Sequence, residues 1–176
     1  TLGKVSLSGR GNDQEFAGAD DIRVALKLAP LLSKQVVVET VEISNLRARI
    51  VRFKDGTTNI DDLTGGVIPA PAARGDELPL VIDIDHVTLE NAALTYTDEA
   101  SGAVYALSKI NLRTGRIASG VPVRIDLAFT VQSDQPVINL EAALKTTVAF
   151  DFDQQRYTFA GIDFSATGLA AGISNL

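Results

Sequence analysis

The stretch that decides the fold is Val121-Pro122-Val123-Arg124-Ile125-Asp126-Leu127-Ala128-Phe129-Thr130-Val131. Every odd position is apolar, while Arg124, Asp126 and Thr130 fall on even ones. A period of two is that of a β-strand, whose successive side chains point to opposite faces. Leu144, Val148, Phe150 and Phe152 alternate in the same way against Lys145, Thr147, Asp151 and Asp153. One dry and one wet face mark antiparallel strands, because parallel sheets buried on both sides read as continuous apolar runs. Both segments run to about ten residues, against a common strand length of about 5–6.

Working outward, further strands are expected over residues 4–8, 21–28, 36–44, 47–54, 80–90, 93–97, 104–114 and 156–167. The short polar connections 44–45, 90–91, 133–135 and 153–155 have the composition of hairpins and tight reversals. Within 80–90 the alternation slips: Leu80, Ile82 and Ile84 are even, Val87 and Leu89 odd. A β-bulge near Asp85-His86 would restore one face and bend the strand. Helix is confined to one or two turns within residues 26–34 and a short turn over 59–63, where Asn59 would cap and Asp62 would favour the positive end. Asp55-Gly56 marks a tight reversal. The Gly, Pro and Ala of residues 64–79 predict a flexible linker inside a single domain spanning 1–176, with a first half 1–63 and a second half 80–176. The fold class expected is therefore mainly β, with long antiparallel strands in a strongly curved or groove-like sheet.

Two internal echoes accompany this pattern. Val41-x-Ile43-x-Asn45 returns as Val87-x-Leu89-x-Asn91, a shift of 46 residues (41 to 87), and Ile50 and Tyr96 keep that offset. Leu107-x-x-Ile110-Asn111-Leu112 returns as Phe159-x-x-Ile162-Asp163-Phe164. Repeated strand pairs suggest an extended, modular sheet.

Composition narrows the function. At 176 residues with 45% apolar content the chain is globular and large enough for one well-buried domain. Its net charge of −6 disfavours a nucleic-acid partner, which needs clustered cations. Without Cys there is no disulfide, thiolate metal site or Cys nucleophile. No run approaches the roughly 20 apolar residues of a spanning helix, and no signal peptide is visible. With no Met even at position 1, the chain is expected to start after processing or to be cut from a longer protein.

Catalytic, cofactor and metal sites are not expected. The single His86 sits beside the suspected bulge, without a nucleophile or acid partner in the sequence pattern. Asp83-x-Asp85 and Asp151-x-Asp153 each share a strand face, but they lack the oxygen-rich register of a metal loop. A glycosidase pair would also want aromatic sugar platforms, and the chain has no Trp. Gly9-Arg10-Gly11 lacks the G-K-[ST] of a phosphate loop and is taken as a loop. Arg47, Arg49, Arg52 and Lys54 form a basic cluster that either offsets neighbouring acids or meets anionic head groups. The long dry face needs a cover, and little helix is on offer. A second sheet, a sheet curled on itself or a non-protein occupant would serve.

The order of landmarks resembles the N-terminal part of the AsmA family of the Gram-negative envelope. The segment Asp21-Ile-Arg-Val-Ala-Leu-Lys-Leu-Ala-Pro-Leu-Leu-Ser33 leads into the strands 36–44 and 47–53, then Asp55-Gly56, Asn59 and Asp61-Asp62-Leu63. Leu94-Thr-Tyr-Thr-Asp98, Gly102, Leu107-Ser-Lys-Ile-Asn-Leu112 and Gly120-Val121-Pro122 continue the match across roughly residues 5–168. Ile60 stands where the family often carries an aromatic residue.

The resemblance implies a non-enzymatic periplasmic protein, tethered to the inner membrane by a helix absent from this sequence. It also implies a role in outer-membrane biogenesis, with phospholipid or another envelope lipid as partner, passed along an apolar β-groove. The residues expected to touch lipid are Val123, Ile125, Leu127, Phe129, Val148, Phe150 and Phe152. A structural or adhesive β-module, its dry face sealed by its own second sheet, is the alternative.

Overall fold

The computed structural model describes residues 3–8, 15–31, 37–61, 83–118, 120–151 and 156–171. Its elements in chain order are β1 (Val5–Ser8), β2 (Glu15–Ala19), β3 (Asp21–Leu26), α1 (Leu28–Leu31), β4 (Val38–Ser44), β5 (Arg47–Arg52), β6 (Asp83–Ile84), β7 (His86–Asp98), β8 (Val104–Thr114), β9 (Ile117–Ala118), β10 (Pro122–Asp134), β11 (Val137–Asp151) and β12 (Arg156–Ala171). Strands β7, β10, β11 and β12 are longer than expected, whereas β1, β3, β4 and β5 are shorter and β8 matches residues 104–114. The alternating segment grows into the 13-residue β10, and β11 and β12 reach 15 and 16 residues.

Among the described residues ten strands form one open sheet in the order β1-β2-β5-β7-β8-β10-β11-β12, with β3 pairing β4 and β4 pairing β7; β6 and β9 make a separate two-stranded ribbon. The consecutive elements β2 and β3 form one row, as do β4 and β5, because their register is unbroken. Gly18 faces Arg47 and Asp21 faces Ser44, three residues further along each strand.

The sheet is mixed. Among the described residues all pairings are antiparallel except those of β4 and β5 with β7, which are parallel. The first echo explains that exception, for its repeats lie side by side and in step. Val41 is the Cα partner of Val87, Ile43 of Leu89 and Ile50 of Tyr96. An apolar pattern repeated in the same direction puts like residues on one face when the copies pair in parallel.

Two polar dipeptides expected to reverse the chain instead kink it. Asn45 and Asn91 both take a φ of 52° inside continuous rows, and the β7–β8 register shifts between Leu89 and Ala92. Asn tolerates the left-handed region that tight turns and bulges both require, so its presence alone does not distinguish them. Lys109 (φ 51°) and Gly161 (φ 60°) occupy the same place in the second echo, and each sits at a register shift of its strand. The slip expected near Asp85 is a strand break: Asp85 separates β6 from β7 and donates its N–H to the Glu39 carbonyl at 2.8 Å.

Other connections behave as expected. Asp134 pairs with Val137 across Gln135-Pro136. Asp55-Gly56 turns with Gly56 at φ 88°, and Asp55 Oδ1 accepts from the Thr57 N–H and hydroxyl at 2.9 and 2.7 Å. The turn after it is capped differently: Asp61 reaches back to the Thr58 N–H at 2.8 Å, as in a capping box. Asn59 is spent on β5, accepting from Val51 N–H and donating to the Arg49 carbonyl, both at 2.8 Å. The expected linker 64–79, Gly9-Arg10-Gly11, the 153–155 connection and Phe152 lie outside the described residues.

Candidate functional site

Register assigns the faces of the second half. Val123 faces Val148, Ile125 faces Thr146, Leu127 faces Leu144 and Phe129 faces Ala142 across β10 and β11. On the β8 side Leu127 meets Leu112 and Val131 meets Leu107, while on the β12 side Leu144 meets Phe164 and Val148 meets Phe159. Direct cross-strand partners share a face. One predominantly apolar surface therefore runs over β7, β8, β10, β11 and β12, broken in the Ile125 row by Thr114 and Thr146, because each bulge restores the parity of its strand. In β7 the apolar series passes from Val87 and Leu89 to Ala92, Leu94 and Tyr96 across Asn91.

The expected lipid-facing residues are brought together but not equally covered. Val123 and Val148, direct partners, are buried to 1% and 2% exposure. Val121 N–H donates to the Ala118 carbonyl at 3.2 Å, which sets the β6–β9 ribbon beside this end of β10. Ile125, Leu127 and Phe129 are half-buried. Phe150 faces Tyr157 by register, and its side chain, like Phe152, lies outside the described residues. Among the described residues no second large sheet packs on this surface.

Residues the sequence pattern passed over extend the surface to the sheet edge. Tyr157, Phe159, Ile162 and Phe164 of β12 are about 60% exposed, each at 59–65%. The signal was present in the second echo, which aligns Phe159, Ile162 and Phe164 with the inward Leu107, Ile110 and Leu112. Thr146 is a buried polar residue on this face, and its hydroxyl donates to the Ala160 carbonyl at 3.2 Å beside the β12 bulge.

The opposite face is polar and laced with ion pairs. Arg23 bonds Asp21 (2.8 Å), and Lys109 lies 3.7 Å from Glu141 and Arg113 3.9 Å from Glu90. The groups with catalytic potential are tied into such pairs. Arg116 grips Asp83 through Nε and Nη2 at 2.7 and 2.9 Å and holds its carboxyl below the ordinary carboxylate range. Asp85 accepts from Lys27 Nζ at 3.2 Å. His86 Nε2 lies 4.0 Å from Glu42 Oε1 on the exposed face. In the basic cluster Arg47 bonds Asp20 (2.6 Å) and Arg52 bonds Asp98 (3.2 Å). Asp151 is in β11, but its side chain and Asp153 lie outside the described residues.

A sequence model of the AsmA family matches residues 1–167. The chain belongs to the AsmA family. No curated protein matches it. AsmA proteins are linked to assembly of the bacterial envelope and its outer membrane. The landmarks that carried the resemblance have structural roles in this AsmA domain. Asp55-Gly56 closes the turn after β5, Asn59 locks that turn to β5, and Asp98 receives the N–H groups of Ala100 (2.9 Å) and Ser101 (3.3 Å) at the β7–β8 reversal. The Ala100 bond is the main reason the Asp98 carboxyl stays below its usual range.

Proposed function

We infer that this AsmA domain handles lipid on its apolar face, without catalysis, as the periplasmic part of an inner-membrane-tethered protein serving outer-membrane biogenesis. The observation that carries the reading is the band of aromatic and aliphatic side chains on β12, about 60% exposed and continuous with the half-buried Ile125, Leu127 and Phe129. Fully burying one such side chain is worth roughly 1.5–3 kcal/mol, so a chain of methylenes laid along the strand is a favourable cover. At a rise of about 3.3 Å per residue, the 13 residues of β10 offer a track of about 43 Å.

Two measurements test it. An environment-sensitive apolar dye should bind the purified chain, and the double change Phe159→Lys with Ile162→Lys should abolish binding while leaving the melt nearly unchanged. Photocrosslinkers at Ile125 and Phe159 of the full-length protein should capture lipid in intact cells. The complete burial of Val123 and Val148 favours a second reading, a β-module closed at that end and used for structure. Absence of dye binding and of lipid adducts would select that reading over the first.

A further inference from the structure

The polar face carries a groove of about 390 Å³ between β2, β5 and β7, lined by Phe16, Gly18, Arg47, Arg49, Ala93 and Thr95. Register explains why it is hollow. Arg47 lies between Gly18 on one side and Ala93 on the other, so one cross-strand row holds no bulk beside the arginine. Arg49 lies one step along the same face, opposite Thr95. Two residues apart on one strand face, the two arginine Cα atoms stand about 7 Å from each other.

The two arginines differ in their partners. Arg47 Nη2 is anchored on Asp20 at 2.6 Å. Arg49 bonds no carboxylate among the described residues, in contrast to Arg23, Arg52, Arg113 and Arg116, each paired with an acid. Arg49 thus brings to the groove a guanidinium that no carboxylate of the described residues matches, on a chain whose net charge is −6. A planar N–H fork is the side chain best matched to the oxygens of a phosphate. The Thr95 hydroxyl supplies a neutral donor across from it, and the volume falls in the range of small-ligand sites.

We propose that this groove binds a phosphate group, with Arg49 making the charge-assisted contact and the Asp20-anchored Arg47 the second. The phosphate belongs either to a phospholipid head group or to a soluble phosphate. The site lies on the face opposite the apolar surface and stands whether or not that surface takes lipid.

The test uses the 176-residue chain with two probes: inorganic phosphate followed by calorimetry, and phosphatidylglycerol vesicles followed by co-sedimentation. Arg49→Ala is compared with Arg124→Ala, an exposed arginine outside the groove. Both substitutions are on the solvated face, and matching melts confirm that the variants are folded. Saturable binding that weakens about tenfold in R49A, is unchanged in R124A and falls with added salt supports the site. Binding of both probes assigns recognition to the phosphate itself, whereas binding of vesicles alone assigns it to the head group. Equal binding by R49A and the unaltered chain, or no binding of either probe, overturns it.

Discussion

Asn45 and Asn91, separated by 46 residues, share a φ of 52°, and the side-chain amide of Asn91 donates to Asn45 Oδ1 at 2.7 Å. The contact joins the two copies of the first echo at the point where each row kinks. It continues sideways, since the Asn91 N–H donates to Asn111 Oδ1 (3.0 Å) and the Asn111 amide to the Lys109 carbonyl (2.7 Å). On the other flank Arg47 bonds Asp20, the residue between β2 and β3, and that bond is the main reason the Asp20 carboxyl lies below its ordinary range. Polar side chains thus cross the sheet where bulges disturb the backbone ladder.

Asn91 is expected to be needed for both its conformation and its amide. Asn91→Gly keeps the left-handed backbone and loses one hydrogen bond, costing about 1 kcal/mol. Asn91→Ala adds left-handed strain and should cost about 2–3 kcal/mol in all. Urea midpoints give the order; an alanine variant more stable than the glycine one would show that the φ angle is not limiting.

Acid should loosen the β6–β9 ribbon. Arg116 depresses the Asp83 carboxyl from its ordinary 3.8, so the folded value lies below the unfolded one. The stabilisation is then present above the unfolded value and is lost as pH falls through the folded one. Asp83→Asn should be less stable than the unaltered chain at pH 7, with the difference narrowing as pH falls below the ordinary carboxylate value of 3.8. Melting curves at pH 7, 5, 4 and 3 report it, and a gap as wide at pH 3 as at pH 7 would contradict the assignment.

A carboxylate should be tolerated differently at neighbouring positions of β10. Val123→Asp puts an unpaired charge into a contact with 1% exposure and should cost several kcal/mol or raise the new carboxyl's pKa. Ile125→Asp, at a half-buried position, should melt between that variant and the unaltered chain. The reverse order would mean that Ile125 carries the tighter cover.

The two positive-φ glycines of β12 should part company. Gly161, at φ 60° with open space where a side chain would project, should accept Asn within about 0.5 kcal/mol. Gly168, at φ 142°, faces the Asn139 carbonyl so closely that a Cβ would collide with it. Gly168→Ala should therefore cost about 1–3 kcal/mol or more in a thermal melt. Equal melts for the two variants would refute the distinction.

The parts of this fold that depend on local alternation were legible. Residues 104–114 coincide with β8, and the faces of β10 follow directly from residues 121–131. Partners were harder, because a parallel neighbour leaves no local mark; only the 46-residue echo pointed to one, and it suggested modularity rather than adjacency. β2 was missed because Glu15-Phe-Ala-Gly-Ala19 has small residues where alternation would show. Asn45 and Asn91 were misassigned because turns and bulges draw on the same left-handed tolerance. The apolar site was legible as a set of residues on one face. The difference between Val123 and Ile125 was not, since it depends on what the rest of the chain lays over each.

β12 pairs with β11 along 14 register positions, and among the described residues its other side meets no strand. An open edge of that length makes extent a countable property. Each added row lengthens the sheet by about 4.8 Å, and the eight rows from β1 to β12 already measure about 34 Å between their outer axes. A closed barrel fixes its size through strand number and shear, whereas this architecture resembles a ruler whose reach is set by how many graduations are ruled on it. Insertion or deletion of one hairpin would change that reach by about 10 Å without altering the chemistry of either surface.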